Sequence, residues 1–203
     1  MYTPRSFQFS NETAKITFIR RYPFAPMITV ADGLPTATHL PFVIEEINGK
    51  LVLSSHFAAG NKQVEHVESS PSVVIFSEPH AYVSPRHYDK WESVPTWDYI
   101  AVHAYGNCRI ENDVDTKLML LEKMIACYEA DYLKQWASLP ARFRMGMLDG
   151  LVAFTMEVTD LQGQQKLSQN KTEAERTRII RQLEGSPTGT EQELAAYIQQ
   201  TLK

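Results

Sequence analysis

Cysteine is scarce in this chain. Cys108 and Cys127 are the two in 203 residues. They form no CxxC pair, and one bridge could not staple a chain of this length. Each is expected as a small apolar residue in a reducing compartment. Positive charge is not in excess either. Lys and Arg number 20 against 24 Asp and Glu, a formal charge of −4, which disfavours a purely electrostatic nucleic-acid binder. No apolar run approaches the roughly 20 residues that span a bilayer. The opening MYTPRSFQFSNETAK has no apolar stretch after its early charge, so it does not read as a signal peptide. The expectation is a soluble cytoplasmic protein. GxSxG, GxGxxG and HExxH are absent, and His39, His56, His66, His80, His87 and His103 show no paired ligand spacing. No side chain is therefore nominated as catalytic, and no metal site is expected.

What the chain does have is a normal apolar fraction of 43%, enough for one full core with some elaboration. Ser10 is placed to cap a helix whose buried stripe is Ala14, Phe18, Ile19 and Tyr22, stopped by Pro23. Strands are expected at Met27–Val30 and Thr36–Glu46, around the turn-rich Ala31–Pro35 segment. Asn48-Gly49 is a second hairpin turn leading into Leu51–Ser55. Further strands are expected over Ser72–Ser77, Ala81–Ser84, Asp98–Asn112 and Leu151–Gln162. Leu118, Leu121, Ile125 and Tyr128 mark an amphipathic helix, with Asp113 or Asp115 as its cap. Pro140–Met147, Thr172–Leu183 and Glu191–Leu202 read as further helices. Strands joined by hairpins, with helices following rather than alternating, give an α+β protein built on a mainly antiparallel small barrel with peripheral helices. Residues 1–165 form the barrel domain, and 166–203 a C-terminal helical extension packed on it.

Four segments carry candidate chemistry. Tyr82–Tyr99 holds Tyr82, Tyr88, Trp91, Trp97 and Tyr99, with Pro85 and Pro95 ruling out a continuous helix. The rings are expected on a connection that either presents them to a flat ligand or partner, or folds back and buries them. Thr38-His39-Leu40-Pro41-Phe42 has a proline inside an apolar strand, which marks an edge, a bulge or backbone open to a ligand. Ser54-Ser55-His56 with Gly60-Asn61-Lys62-Gln63 offers hydroxyls, an amide and an ammonium suited to a phosphate, although the spacing matches no P-loop. Lys166-Leu167-Ser168-Gln169-Asn170-Lys171 is a dense run of donors in which Ser168 or Asn170 could instead cap the following helix.

In combination, MYTPRSF, HLPF, SSHFAAGNKQ, YVSPRHY, VPTWDY, VHAYG and KLSQNK resemble the PaiB family of FMN-binding split-barrel proteins across nearly the whole chain. The resemblance implies a split β-barrel that forms a homodimer, with FMN where two subunits meet. By position, Thr38, His39, Leu40 and Pro41 would lie along the flavin ring. Ser54, Ser55, Asn61 and Lys62 would surround the phosphate. Trp97, with Lys166, Gln169 and Asn170, would close the pocket, from the partner subunit. One departure stands out. Relatives carry a basic residue near position 59 and proline at 62, whereas this chain has Ala59 and Lys62. Two functions follow from the resemblance. One is an FMN-dependent oxidoreductase or NAD(P)H-dependent flavin reductase. The alternative is a negative transcriptional regulator that binds FMN without turnover, although no helix-turn-helix or basic stripe supports direct DNA binding. A third reading is a non-catalytic flavin or haem carrier with His39 or His87 as axial ligand.

Overall fold

A computed structural model describes residues 1–202. Two short hairpins set the local geometry. Asp32 and Gly33 (φ 50° and 77°) join strand β1 (Phe24–Ala31) to β2 (Leu34–Pro41). Asn48 and Gly49 (φ 52° and 77°) join β3 (Val43–Ile47) to β4 (Lys50–Ala58). Positive φ at both central residues matches the right-handed twist of the strands and suits Asn, Asp and Gly. The single strand expected over Thr36–Glu46 is in fact β2 and β3. Pro41 has no N–H to continue the ladder, and the chain breaks at Phe42. Conversely, Ser72–Ser77 and Ala81–Ser84 are one strand, β5 (Ser72–Val83). β6 (Thr96–Ile110) and β7 (Leu151–Lys166) complete a seven-stranded sheet in the order β2-β1-β5-β6-β7-β4-β3. The β1–β2, β1–β5, β3–β4 and β4–β7 ladders are antiparallel.

Among the described residues there are six α-helices: α1 (Glu12–Arg21), α2 (Val114–Glu129), α3 (Tyr132–Ser138), α4 (Ala141–Asp149), α5 (Glu173–Glu184) and α6 (Gly189–Gln200). The side chain of Asn11, not Ser10, accepts the Ala14 N–H at the start of α1. Asp113 caps α2 as expected, accepting the Thr116 N–H at 2.8 Å. The buried residues of α2 are Leu120 and Met124 rather than the expected Leu118–Leu121–Ile125–Tyr128 stripe. The helix is apolar on more than one side, so periodicity alone leaves its orientation open. Helix α3 is an addition to the helices expected from the sequence.

The chain divides into two compact units. One comprises 16–76 and 104–161, the other 1–15, 77–103 and 162–203. The first has an aromatic core. Phe57 stacks on Phe154 at 4.8 Å, while Phe42 meets Phe76 and Phe154 edge-on. Fully buried Met27, Leu53 and Met156 surround them. Gly106, in this unit, has no room for a side chain, since a Cβ there would lie 2.2 Å from the Glu157 carbonyl oxygen. Tyr128 of α2 donates to the Phe42 carbonyl, and Lys123 pairs with Glu45 at 2.8 Å. In the second unit, α5 and α6 pack together through Ile179, Ile180, Leu183, Leu194 and Ile198. Helix α5 opens with a capping box, in which Thr172 and Glu175 satisfy each other's backbone N–H. The Thr172 cap corrects the expectation that Ser168 or Asn170 would serve.

Candidate functional site

The first unit holds eight of the nominated residues. Strand β2 is at the edge of the sheet, paired on one side with β1. Alternate residues of an antiparallel edge strand direct both N–H and C=O away from the sheet, where nothing in the ladder satisfies them. Thr38 is half-buried, His39 exposed, Leu40 buried and Pro41 partly covered. The His39 ring stacks on Phe24 at 6.1 Å. Phe24, 65% exposed, and Leu34, 69% exposed, leave this hairpin with uncovered apolar surface.

A polar network fixes β2 to the turn at 61–65. The Thr38 hydroxyl donates to Gln63 Oε1 at 2.7 Å and accepts from Asn61 Nδ2 at 2.9 Å. Gln63 Nε2 donates to the Met27 carbonyl and to Thr29 Oγ1, and Thr29 meets Ser72 at 2.7 Å. Asn61 Oδ1 accepts the Gln63 N–H and caps the 3-10 turn Lys62–Glu65. Gln63 is buried at the centre of this network. The sequence places it in the candidate phosphate segment with Asn61 and Lys62, and nothing local marks it as the buried centre of a network to β1. Ser54 and Ser55 are both buried, and Ser55 Oγ donates to the Pro41 carbonyl at 2.7 Å. That bond ties β4 to β2 and curls the sheet. Lys62 is exposed and makes no ion pair among the described residues. It borders a groove of about 390 Å³ with Thr29, Asp32, Thr36, Gln63 and His66. Burial lowers the pKa of His56 and favours its neutral form. A wider cleft of about 650 Å³ under α2 and α4 contains none of the nominated residues.

The second unit holds Trp97, Lys166, Gln169 and Asn170. Contrary to the expectation from sequence, the aromatics are not all on a connection. Tyr82 ends β5, Trp97 and Tyr99 open β6, and the loop between carries Tyr88 and Trp91. The rings divide: Tyr88 is buried, as a loop folding back on itself requires, while Trp91 is 98% exposed. Trp97 is half-exposed and sits edge-on to Tyr82 at 6.1 Å, with His80 at 6.0 Å. Lys166 Nζ donates to the Trp97 carbonyl at 2.6 Å and also to Thr96 Oγ1. Ser168 donates to Asp98 Oδ2 at 2.6 Å. Gln169 closes on its own segment, accepting the Leu167 N–H and donating to the Gln165 carbonyl. Asn170 is exposed. The loop itself is held by α5, since Glu175 accepts the Asp89 N–H, and Arg178 donates to the His87 carbonyl and pairs with Asp89. Asp98 has no solvent exposure, and burial pushes its carboxyl up to about 6. Asp98 is a residue that sequence reading did not single out, because nothing local distinguishes it from an exposed aspartate in WDY.

Taken separately, the first unit offers a strand edge left unpaired in the ladder and the exposed ammonium of Lys62, and the second unit offers the half-exposed indole of Trp97. Among the described residues there is no cluster of three or more His, Cys, Asp or Glu side chains placed to hold a metal ion, and no helix long and apolar enough to cross a membrane.

An edge-exposed, curled, antiparallel sheet with helices inserted between its strands defines the class. The chain belongs to the family described as "Putative FMN-binding domain", whose model matches residues 1–160. It is 34% identical, over all of its own length and 99% of the relative's, to "Protease synthase and sporulation protein PAI 2" of Bacillus subtilis. Solved structures share the split-barrel fold. The flavocytochrome Anf3 from Azotobacter vinelandii matches with a TM-score of 0.63 at 11% identity, covering 81% of this chain and 72% of that one. The FAD and heme binding protein from Mycobacterium smegmatis matches at 0.59 with 16% identity, covering 78% and 73%.

Proposed function

We propose that this protein is a dimeric FMN-binding oxidoreductase, acting as a flavin reductase supplied by NAD(P)H. The observation that carries the reading is the open edge of β2 beside an unpaired Lys62. In the proposed complex, main-chain groups of Thr38–Pro41 face the polar edge of the ring system. Lys62 supplies charge to the phosphate, and Asn61 fixes the turn that presents it. Ser54 and Ser55 hold β4 under that wall. Trp97 of the partner subunit, with its Lys166, Gln169 and Asn170, closes over the ring. A second copy would also cover Phe24 and Leu34, whose exposure is high for a monomer surface. When bound, FMN supplies two-electron redox chemistry at its ring, and the chain supplies orientation, exclusion of water and electrostatics.

The purified protein is expected to be yellow, dimeric in solution, and bleached by NADH or NADPH under anaerobic conditions. A protein that binds FMN but is bleached by neither nicotinamide refutes the reductase reading. The second reading is regulation without turnover, and its support is the full-length relative whose name includes sporulation. A salt-titrated mobility shift that shows specific operator binding, released or strengthened by FMN, selects it.

A further inference from the structure

We propose that Asp98 is the positioning residue of the Trp97–Lys166 half of the flavin site, clamping the 166–170 segment through Ser168 and setting the charge felt by Lys166. The role in flavin binding rests on the function proposed above. The clamp rests on geometry within one compact unit.

Three contacts zip the start of β6 to the end of β7. Lys166 donates to Thr96 and to the Trp97 carbonyl, and Ser168 donates to the Asp98 carboxylate. Ser168 sits at φ 55°, a left-handed conformation that a residue with a Cβ adopts only at some cost. Its 2.6 Å bond to Asp98 is the contact that compensates, and the turn it makes is closed by the Lys171 N–H on the Ser168 carbonyl. The segment bearing Lys166, Gln169 and Asn170 therefore takes its direction from Asp98.

The surroundings of Asp98 are unusual for a purely structural aspartate. Its Oδ1 is buried with no hydrogen-bond partner among the described residues, and so are Tyr88 Oη and Arg176 Nε. Arg176 does not neutralise it by contact. Its guanidinium is turned to the end of α6, donating to the Ile198 and Thr201 carbonyls and to Thr201 Oγ1. The groups that face Asp98 are Lys166 from the end of β7, Ser168 from the turn after it, Arg176 from α5 and Tyr88 from the aromatic loop. Tyr88 in turn feels Glu175 and Tyr82, and the Lys171 ammonium lies 3.6 Å over its ring. An asparagine would accept the Ser168 hydroxyl equally well without the penalty of a buried charge. What only the carboxylate adds is negative charge near the Lys166 ammonium. Its carboxyl, pushed up to about 6 by burial, makes that charge dependent on pH.

The test compares wild type with Asp98→Asn, which keeps the acceptor and drops the charge, and with Asp98→Ala, which drops both. In the apo-protein labelled with 5-fluorotryptophan, the Trp97 resonance is assigned by Trp97→Phe. It is expected to shift with a midpoint near pH 6 in wild type and to lose that step in Asp98→Asn. FMN affinity of Asp98→Asn should match wild type at about pH 5 and rise about threefold or more above it at about pH 8, because the negative charge removed opposes an anionic ligand. Asp98→Ala should bind FMN about tenfold or more weakly at both, with faster amide exchange over 166–171. A purely structural aspartate would leave the Asp98→Asn profile parallel to wild type, and that result overturns the proposal. A wild-type Trp97 resonance flat through pH 6 does the same, and this readout stands even if Asp98→Ala fails to fold. If wild type binds no FMN, the flavin reading falls, while the apo-protein resonance still decides the clamp.

Discussion

Gln63 offers a sharp test of how the nominated flavin wall is held. Its side chain is buried and makes three hydrogen bonds: two donated, to the Met27 carbonyl and Thr29 Oγ1, and one accepted from Thr38. Truncation in Gln63→Ala affects the three partners unequally. Thr29 retains Ser72, and Thr38 retains the donor from Asn61, so both hydroxyls can reorient. The Met27 carbonyl loses this donor, at about 1–3 kcal/mol for a buried group. Lost packing of the amide stem adds about 1 kcal/mol. The expected loss is about 2–4 kcal/mol, read as a shift in urea midpoint with unchanged slope at fixed protein concentration. Gln63→Glu is the sharper variant. It replaces the amide donors with carboxylate oxygens facing the Met27 carbonyl, so it should be at least as damaging at neutral pH. Burial raises the folded-state pKa of such a carboxyl, so stability should return as pH falls and the carboxyl protonates. A Gln63→Ala protein within about 0.5 kcal/mol of wild type, with a pH-independent Gln63→Glu deficit, would refute the idea that this amide organises the wall.

Three further outcomes follow from particular contacts. Gly106→Ala should yield little soluble protein or a sharply lowered Tm, because its Cβ would lie 2.2 Å from a backbone oxygen that cannot swing aside. Lys62→Ala should weaken FMN binding by about 1–3 kcal/mol in a flavin fluorescence titration, with no change in Tm of the apo-protein, since its ammonium has no protein partner to lose. Asp98→Asn should gain stability relative to wild type as pH rises from about 4 to about 6. The raised carboxyl, from 3.8 to about 6, contributes stability that is full below its unfolded value and lost as pH passes the folded one. The gain above that window is about 3 kcal/mol, and a pH-independent difference in denaturation would contradict it.

Much of the architecture could be read from the chain before it folded. Asn48-Gly49 fixes a hairpin because both residues tolerate positive φ, and Asp113 caps a helix because its carboxylate reaches back to the Thr116 N–H three residues on. Both are properties of a few adjacent residues, which local sequence states completely. Seven motifs spread over the chain were enough to place it in its family. Other features belong only to the folded molecule. Tyr88 is buried and Trp91 exposed although they lie three positions apart in one loop, because α5 clamps the loop through Glu175 and Arg178. Ser55 is committed to the Pro41 carbonyl, Gln63 to strand β1, and Ser168 to Asp98 across 70 residues of sequence. Periodicity tells which side of an element is covered but not what covers it. The partners of a buried hydroxyl, amide or carboxylate are chosen by which distant segment packs there, and only the tertiary structure makes that choice.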